Sequence, residues 1–313
     1  MTSQSKIIFA AIILLALLAT GITWGLERYS YYTLPSRGGI STELEIAVAP
    51  SLLDWVTAAA ADFNASNSQV SVTVVEADSK RLDSIFAADS VPDAWIPEAT
   101  FVAQQNGSAV YSRTGQSVAS DSLLWVKPVS ANYVLDWQSI HDAAVNDPQF
   151  NVALPAANNT TAIAVCLSAA QTYHQTTEID FSLANDSEFK AWYRDIEVAI
   201  PNATDPLAQL LRRPPAIDAV MITNSEGSDL VDQFDTVEPI FDVTLDYPYI
   251  VRSSWAELSD EEEAARNEGA ARFFDALLSS GNQANLADYG LNGAVGDQGI
   301  SSRTVQALQW CWQ

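Results

Sequence analysis

The sequence predicts an α/β protein of two lobes behind an N-terminal membrane-spanning helix. Three observations carry this expectation: an uncharged apolar run at residues 7–24, an alternation of strand-like and helically spaced apolar segments from Glu43 onward, and a second such alternation over residues 129–234. At 313 residues and 48% hydrophobic content the chain is long enough for two cores and too apolar for general disorder.

The run IIFAAIILLALLATGITW has 18 residues without a charge, just enough to cross a bilayer as a helix, and Lys6 on its short flank keeps the N-terminus inside. Trp24, Tyr29, Tyr31 and Tyr32 fall where an aromatic belt would lie. No small-x-small cleavage site follows, and no cysteine ends the run. Residues 1–25 therefore read as an anchor or uncleaved signal, and residues 26–42, with Pro35 and Gly38-Gly39, as a juxtamembrane linker. This places the protein in the cell membrane as a single-pass protein with its folded part extracellular or periplasmic. In that compartment Cys166 and Cys311 either form a disulfide or stay as two buried thiols, and their spacing does not choose.

From Glu43, ELEIAVA alternates Leu44, Ile46 and Val48; SLLDWVTAAAADF sets Leu52, Leu53, Val56, Ala60 and Phe63 at helical spacing; and VSVTVVEA returns to β-branched chemistry. This is a βαβ unit with parallel strands. A second unit follows, with Leu82, Ile85 and Phe86 on one helical face and VPDAWIP as a short buried strand. SVASDSLLWVK, residues 117–127, reads as one strand ending at Pro128, and DWQSIHDAAV as a helix capped by Asp136. NVALP, a helix over 159–173 and IDAVMIT at 217–223 build the second lobe. The chain then reads strand-like through EPIFDVTLDYPYIVRSSW. A long terminal helix follows, capped by Ser259 with Glu262 and apolar at Ala264, Ala271, Phe274, Leu277 and Leu278.

The net charge of −24 and pI near 4.1 argue against a nucleic-acid or anionic-membrane partner, because a field of that sign repels phosphates. His141 and His174 are the only histidines, and no spacing resembles a zinc cluster. There is no G-x-S-x-G elbow, and GQSVA at 115–119 misses it in the last position. No catalytic residue, metal or cofactor is expected, and the chain does not read as an enzyme.

The segments EIAVAPSLLDWV, PDAWIPEAT at 92–100, ALPAANNTTAIAV at 153–165, DAVMITNSEG at 218–227, LDYPYIV and the terminal WAEL…AARFFDALLSSGNQANLADYGL, in that order, resemble the bacterial extracellular solute-binding proteins of the type II periplasmic-binding-protein fold. The resemblance is to the molybdate-binding-like branch often associated with von Willebrand factor A-type proteins, and it covers most of residues 43–295. It implies two α/β lobes joined by two crossing strands, at about 117–128 and 234–245. The first lobe is then discontinuous, 43–128 with 235–313, and the second is 129–234. It also implies a small-molecule ligand of unstated class in the cleft, and as partners an ABC-transporter permease or a von Willebrand factor A-type protein. The chain itself carries no DxSxS metal-binding segment of that domain.

Open α/β sheets bind ligands at the carboxyl ends of their strands, where helix N-termini present free amides. Ser51 stands there after the first strand, Asp78 and Ser79 after the second and Glu98 after the third. Asn158, Asn159, Thr160 and Thr161 follow NVALP, and Asn224 and Ser225 follow IDAVMIT. Each position reads either as a helix cap or as a ligand contact, but four polar residues in a row exceed the need of one cap. Glu98 in a cleft would oppose an oxyanion and favour a cationic, amine or hydroxyl-rich ligand. Tyr247 reads equally as a ligand contact or as packing beneath the lobe interface. The function expected is a membrane-tethered solute-binding protein capturing a small polar or charged ligand. The alternative is a non-transport interaction or scaffold module of a cell-envelope assembly.

Overall fold

The computed structural model describes residues 41–77, 91–106, 110–112, 115–155, 160–197, 206–212, 215–228, 230, 234–241, 243–297 and 299–312. The expected anchor at 7–24 lies outside the described residues, as do the helix expected after Ala77 and the site residues Asp78, Ser79, Asn158 and Asn159. Among the described residues no helix is long and apolar enough to cross a membrane.

In chain order the elements are β1 (Thr42–Val48), α1 (Leu53–Ser66), β2 (Val70–Glu76), β3 (Ala94–Ile96), α2 (Thr100–Asn106), β4 (Gln116–Ser117), β5 (Leu123–Pro128) and α3 (Trp137–Asn146). Then come β6 (Val152–Ala153), α4 (Thr160–His174), α5 (Phe181–Ala184), α6 (Ser187–Glu197), α7 (Pro206–Leu210), β7 (Ala219–Thr223), α8 (Asn224–Gly227) and β8 (Phe234–Val237). The last are β9 (Pro248–Val251), α9 (Asp260–Leu277), α10 (Ser280–Ala284) and α11 (Ser302–Ala307). They form a five-stranded sheet in the order β2-β1-β3-β9-β4 and a four-stranded sheet in the order β6-β7-β5-β8.

The βαβ reading of the first segment holds: β1 pairs in parallel with β2, Ile46 opposite Val74, and with β3 on its other side. One face of α1 buries Trp55, Val56, Ala59, Ala60 and Phe63, and Phe63 meets Phe273 of α9 edge-to-face at 5.4 Å. The terminal helix thus packs on this sheet. At Gly269 it approaches so closely that a Cβ would lie 3.1 Å from Leu44 Cδ1. Its buried face is Gly269, Ala270, Phe273 and Leu277, one residue off the expected stripe, because adjacent apolar pairs (Ala270 and Ala271, Phe273 and Phe274) give either face the same period. Ser259 and Glu262 form the expected capping box, and the Asp136 side chain accepts from the Ser139 amide at the start of α3.

One expectation is corrected. Residues 117–127 are not one strand: β4 ends at Ser117, residues 118–122 cross between the sheets, and β5 begins at Leu123. The crossing residues bond to a second crossing, with the Asp121 amide on Leu245 O at 2.9 Å and the Leu245 amide on Asp121 O at 2.8 Å. β5 and β8 pair with each other in the four-stranded sheet. At the C-terminus Trp310 packs edge-to-face on Phe189 and Tyr193 of α6, both at 5.6 Å, and Cys311 is disulfide-bonded to Cys166 of α4. Apolar patterning reports that a segment is buried, not which sheet buries it.

Candidate functional site

The crossings 118–122 and 243–247 run side by side where the carboxyl ends of β1, β3 and β7 converge. Ser51 lies in a single 3-10 turn, Pro50–Leu52, ahead of α1, and no side chain caps either helix start. Its hydroxyl instead bonds the Tyr247 hydroxyl at 2.8 Å. On the other side, Thr223 caps α8 in a capping box with Glu226, which frees Asn224 and Ser225 from that task. Asn224 Nδ2 donates to Gly290 O at 2.6 Å. The Ser225 amide and hydroxyl both donate to the Asp121 carboxylate, at 3.2 and 2.6 Å, and the Tyr247 hydroxyl lies 3.5 Å from Asp121 Oδ2. A continuous chain of polar contacts, Ser51–Tyr247–Asp121–Ser225, therefore joins a helix start on one sheet to a helix start on the other.

Tyr247 is fully buried, and its φ of 28° lies in the left-handed region, a strained setting for a tyrosine. Bonds on both sides hold it there: its amide donates to Glu98 O at 3.3 Å and its carbonyl accepts from the Val118 amide at 3.1 Å. The ring packs under the junction while the hydroxyl links the two helix starts. Replacing Tyr247 by phenylalanine removes that link, and urea unfolding should show a loss of about 1–2 kcal/mol.

The electrostatics are one-signed. Burial pushes the Asp121 carboxyl up to about 6, although the Ser225 and Thr223 hydrogen bonds favour its ionised form. Burial raises the Tyr247 phenol well above its ordinary value, and the charges of Asp121, Glu98 and Glu226 push it in the same direction. Among the described residues no ion pair reaches the Asp121 or Glu226 carboxylate. The neighbouring crossing carries a counterpart: Asp246 accepts from the Thr100 amide at 2.7 Å and the Thr100 hydroxyl at 2.6 Å, at the start of α2. Burial raises its carboxyl too. Each crossing strand thus supplies one buried aspartate to a helix start, Asp121 on the four-stranded side and Asp246 on the five-stranded side.

Of the remaining expected site residues, Glu98 is half-buried beside Tyr247, while Thr160 and Thr161 are buried at the start of α4, 3% and 5% exposed. Sequence reasoning missed Asp121, Asp246 and Gly290. The signal for the aspartates was an acid inside an apolar strand in both SVASDSLLWVK and LDYPYIV. Gly290 is a close-approach glycine with φ +68°, where a Cβ would lie 2.8 Å from Ser225 Cα and 2.9 Å from Asn224 O. Gly290→Ala should cost roughly 1–3 kcal/mol in urea unfolding by prising this contact apart.

Away from this junction, a cavity of about 410 Å³ opens at the amino end of β1 beside Glu43, Glu45, Arg252 and Arg266. The buried Asp93 in its wall is committed to structure, accepting from the Glu45 amide, Trp255 Nε1 and Arg266. Among the described residues no group of three or more His, Cys, Asp or Glu side chains is placed to hold a metal ion.

Residues 44–292 match the bacterial extracellular solute-binding protein family. The chain belongs to that family. No curated protein sequence matches it. Among solved structures this solute-binding protein is similar to the substrate binding domain of a putative molybdenum ABC transporter from Clostridium difficile, with 16% identity, TM-score 0.54, and 82% of this chain and 100% of that one covered. It is also similar to the ABC substrate-binding protein Lmo0181 from Listeria monocytogenes in complex with cycloalternan, with 12% identity, TM-score 0.57, and coverage of 86% and 83%. A third is the ferric binding protein from Campylobacter jejuni, with 10% identity, TM-score 0.59, and coverage of 86% and 96%. At these identities the shared property is the α/β fold. The three named ligands differ in charge and size, so fold alone assigns none of them to this solute-binding protein.

Proposed function

We propose that this protein captures a small polar or charged ligand between two lobes and presents it to an ABC transporter. The lobes are taken as residues 41–122 with 243–300, and 123–241 with the C-terminal tail, following the two sheets. The observation that carries the reading is the Ser51–Tyr247–Asp121–Ser225 chain, which puts residues from both sheets in one buried polar junction beside the crossing strands. A ligand contacting both sides would favour a closed arrangement by its difference in affinity for the two states. Family membership supports solute binding rather than catalysis, and the apolar run at 7–24 supports tethering to the membrane with the folded part outside.

The test is thermal unfolding of the full-length chain, followed by tryptophan fluorescence, against amines, sugars, amino acids and oxyanions. A ligand at 100 times its dissociation constant adds about 2.7 kcal/mol. A stabilising compound supports capture, and recovery of the chain in the soluble fraction after cell lysis would count against tethering. One observation favours a second reading: Ser51, Tyr247 and Ser225 are all satisfied within the chain itself. A non-transport scaffold of a cell-envelope assembly would need no more than this, and it gains if no compound of any class stabilises the protein.

A further inference from the structure

We propose that Asp121 determines the specificity of this site, acting as a built-in carboxylate that occupies the donors an oxyanion would need and so restricts the site to ligands without negative charge. The inference rests on the ligand-capture reading and names the class of ligand. It starts from the fate of each amide at the opening of α8. The Asn224 amide donates to Ser122 O at 2.8 Å, the Ser225 amide to Asp121 Oδ1 at 3.2 Å, and the Glu226 amide to Thr223 Oγ1 at 3.3 Å. The Ser225 hydroxyl, the side-chain donor nearest them, is also spent on Asp121, at 2.6 Å.

An anion held at a helix start depends on such amides and hydroxyls being open. Here the Ser225 amide and hydroxyl are closed by an acceptor that is part of the chain and fully buried. An incoming oxyanion would have to displace Asp121, leaving a carboxylate without its donors, while adding a second negative charge where Glu98 and Glu226 already act on Tyr247. A neutral or cationic ligand meets neither obstacle. Its hydroxyl or ammonium protons find acceptors in Asp121 and in the Ser51 and Tyr247 oxygens once the lobes part. The Asp121 carboxyl titrates near 6, so it is ionised at the slightly alkaline pH of the test.

The experiment compares the full-length wild type with Asp121→Asn and Asp121→Ser above neutral pH, by thermal shift and isothermal titration calorimetry. The probes are sodium molybdate, sulfate and phosphate, alongside alkylamines and neutral sugars, and circular dichroism confirms folding of each variant. Asparagine keeps an acceptor for the Ser225 amide, and serine frees both donors. The proposal expects no oxyanion binding by the wild type and a gain of at least about tenfold in oxyanion affinity in one of the variants. Oxyanion binding by the wild type would overturn it and leave ligand capture standing. Folded variants that bind oxyanions no better than the wild type would overturn it as well. Failure of the capture reading looks different: no probe of any class stabilises the wild type.

Discussion

Breaking the Cys166–Cys311 bond, by reduction or by Cys311→Ser, is expected to destabilise the protein by about 3–5 kcal/mol. The two residues are 145 apart in sequence, and a cross-link closing so long a loop removes much of the freedom of the unfolded chain. The bond also fixes where the tail goes. Cys166 lies on α4, whose residues from Thr160 to Gln171 are buried. Cys311 follows α11, which sets Val305 and Ala307 into the core and donates from Thr304 Oγ1 to Ile179 O at 3.2 Å. At roughly 2–4 °C per kcal/mol for a domain of this size, the melting temperature should fall by about 10 °C. Thermal unfolding with and without reductant, with thiol titration to confirm reduction, checks this. An unchanged melting temperature in fully reduced protein would show that packing alone holds the tail.

Replacing Asp121 by asparagine is expected to stabilise the protein at neutral pH and to flatten its pH dependence between about pH 4 and 7. The folded carboxyl titrates near 6 and the ordinary value is 3.8, so over that interval the folded state holds more proton than the unfolded one. The sign follows directly. The contribution of Asp121 is fully present below the ordinary value and is lost as pH rises through the folded one, by up to about 3 kcal/mol at 1.36 kcal/mol per unit. Asparagine keeps an acceptor for the Ser225 amide without the buried charge. Burial raises Asp246 in the same direction, but it is common to both proteins and drops out of the comparison. Urea unfolding across this pH range measures the difference. A variant less stable than the wild type at neutral pH would mean that the bonds to Ser225 outweigh the burial of the charge.

Local chemistry was readable in the sequence wherever one element decided it. The β1–α1–β2 unit, the Asp136 cap and the Ser259–Glu262 box rest on spacing and on side chains that act within a few residues, and all are present. What the sequence did not contain was the choice of partner across the fold. The crossing residues 118–122 and the first four residues of β5 are alike buried, yet one segment pairs with residues 243–247 and the other with β7 and β8. At the C-terminus it is tertiary packing that sends the tail to α4 and α6. The site divided in the same way. Ser51 and Ser225 stand out in the sequence because helix starts at strand ends are a local pattern, whereas Asp121 joins the junction through a serine 104 residues away. Thr223 also shows why capping and binding were hard to separate at IDAVMITNS: the residue before the expected pair is the cap, and so its neighbours are available for other work.

The central claim is that one ligand is held from both sheets at the junction of the crossing strands. Isothermal titration of the most stabilising compound into the wild type, Ser51→Ala and Ser225→Ala tests it most directly, since the two serines stand on opposite sides of that junction. The account predicts that each substitution weakens binding by about tenfold or more, near 1.4 kcal/mol. Affinity unchanged in both variants would place the ligand elsewhere and contradict the account.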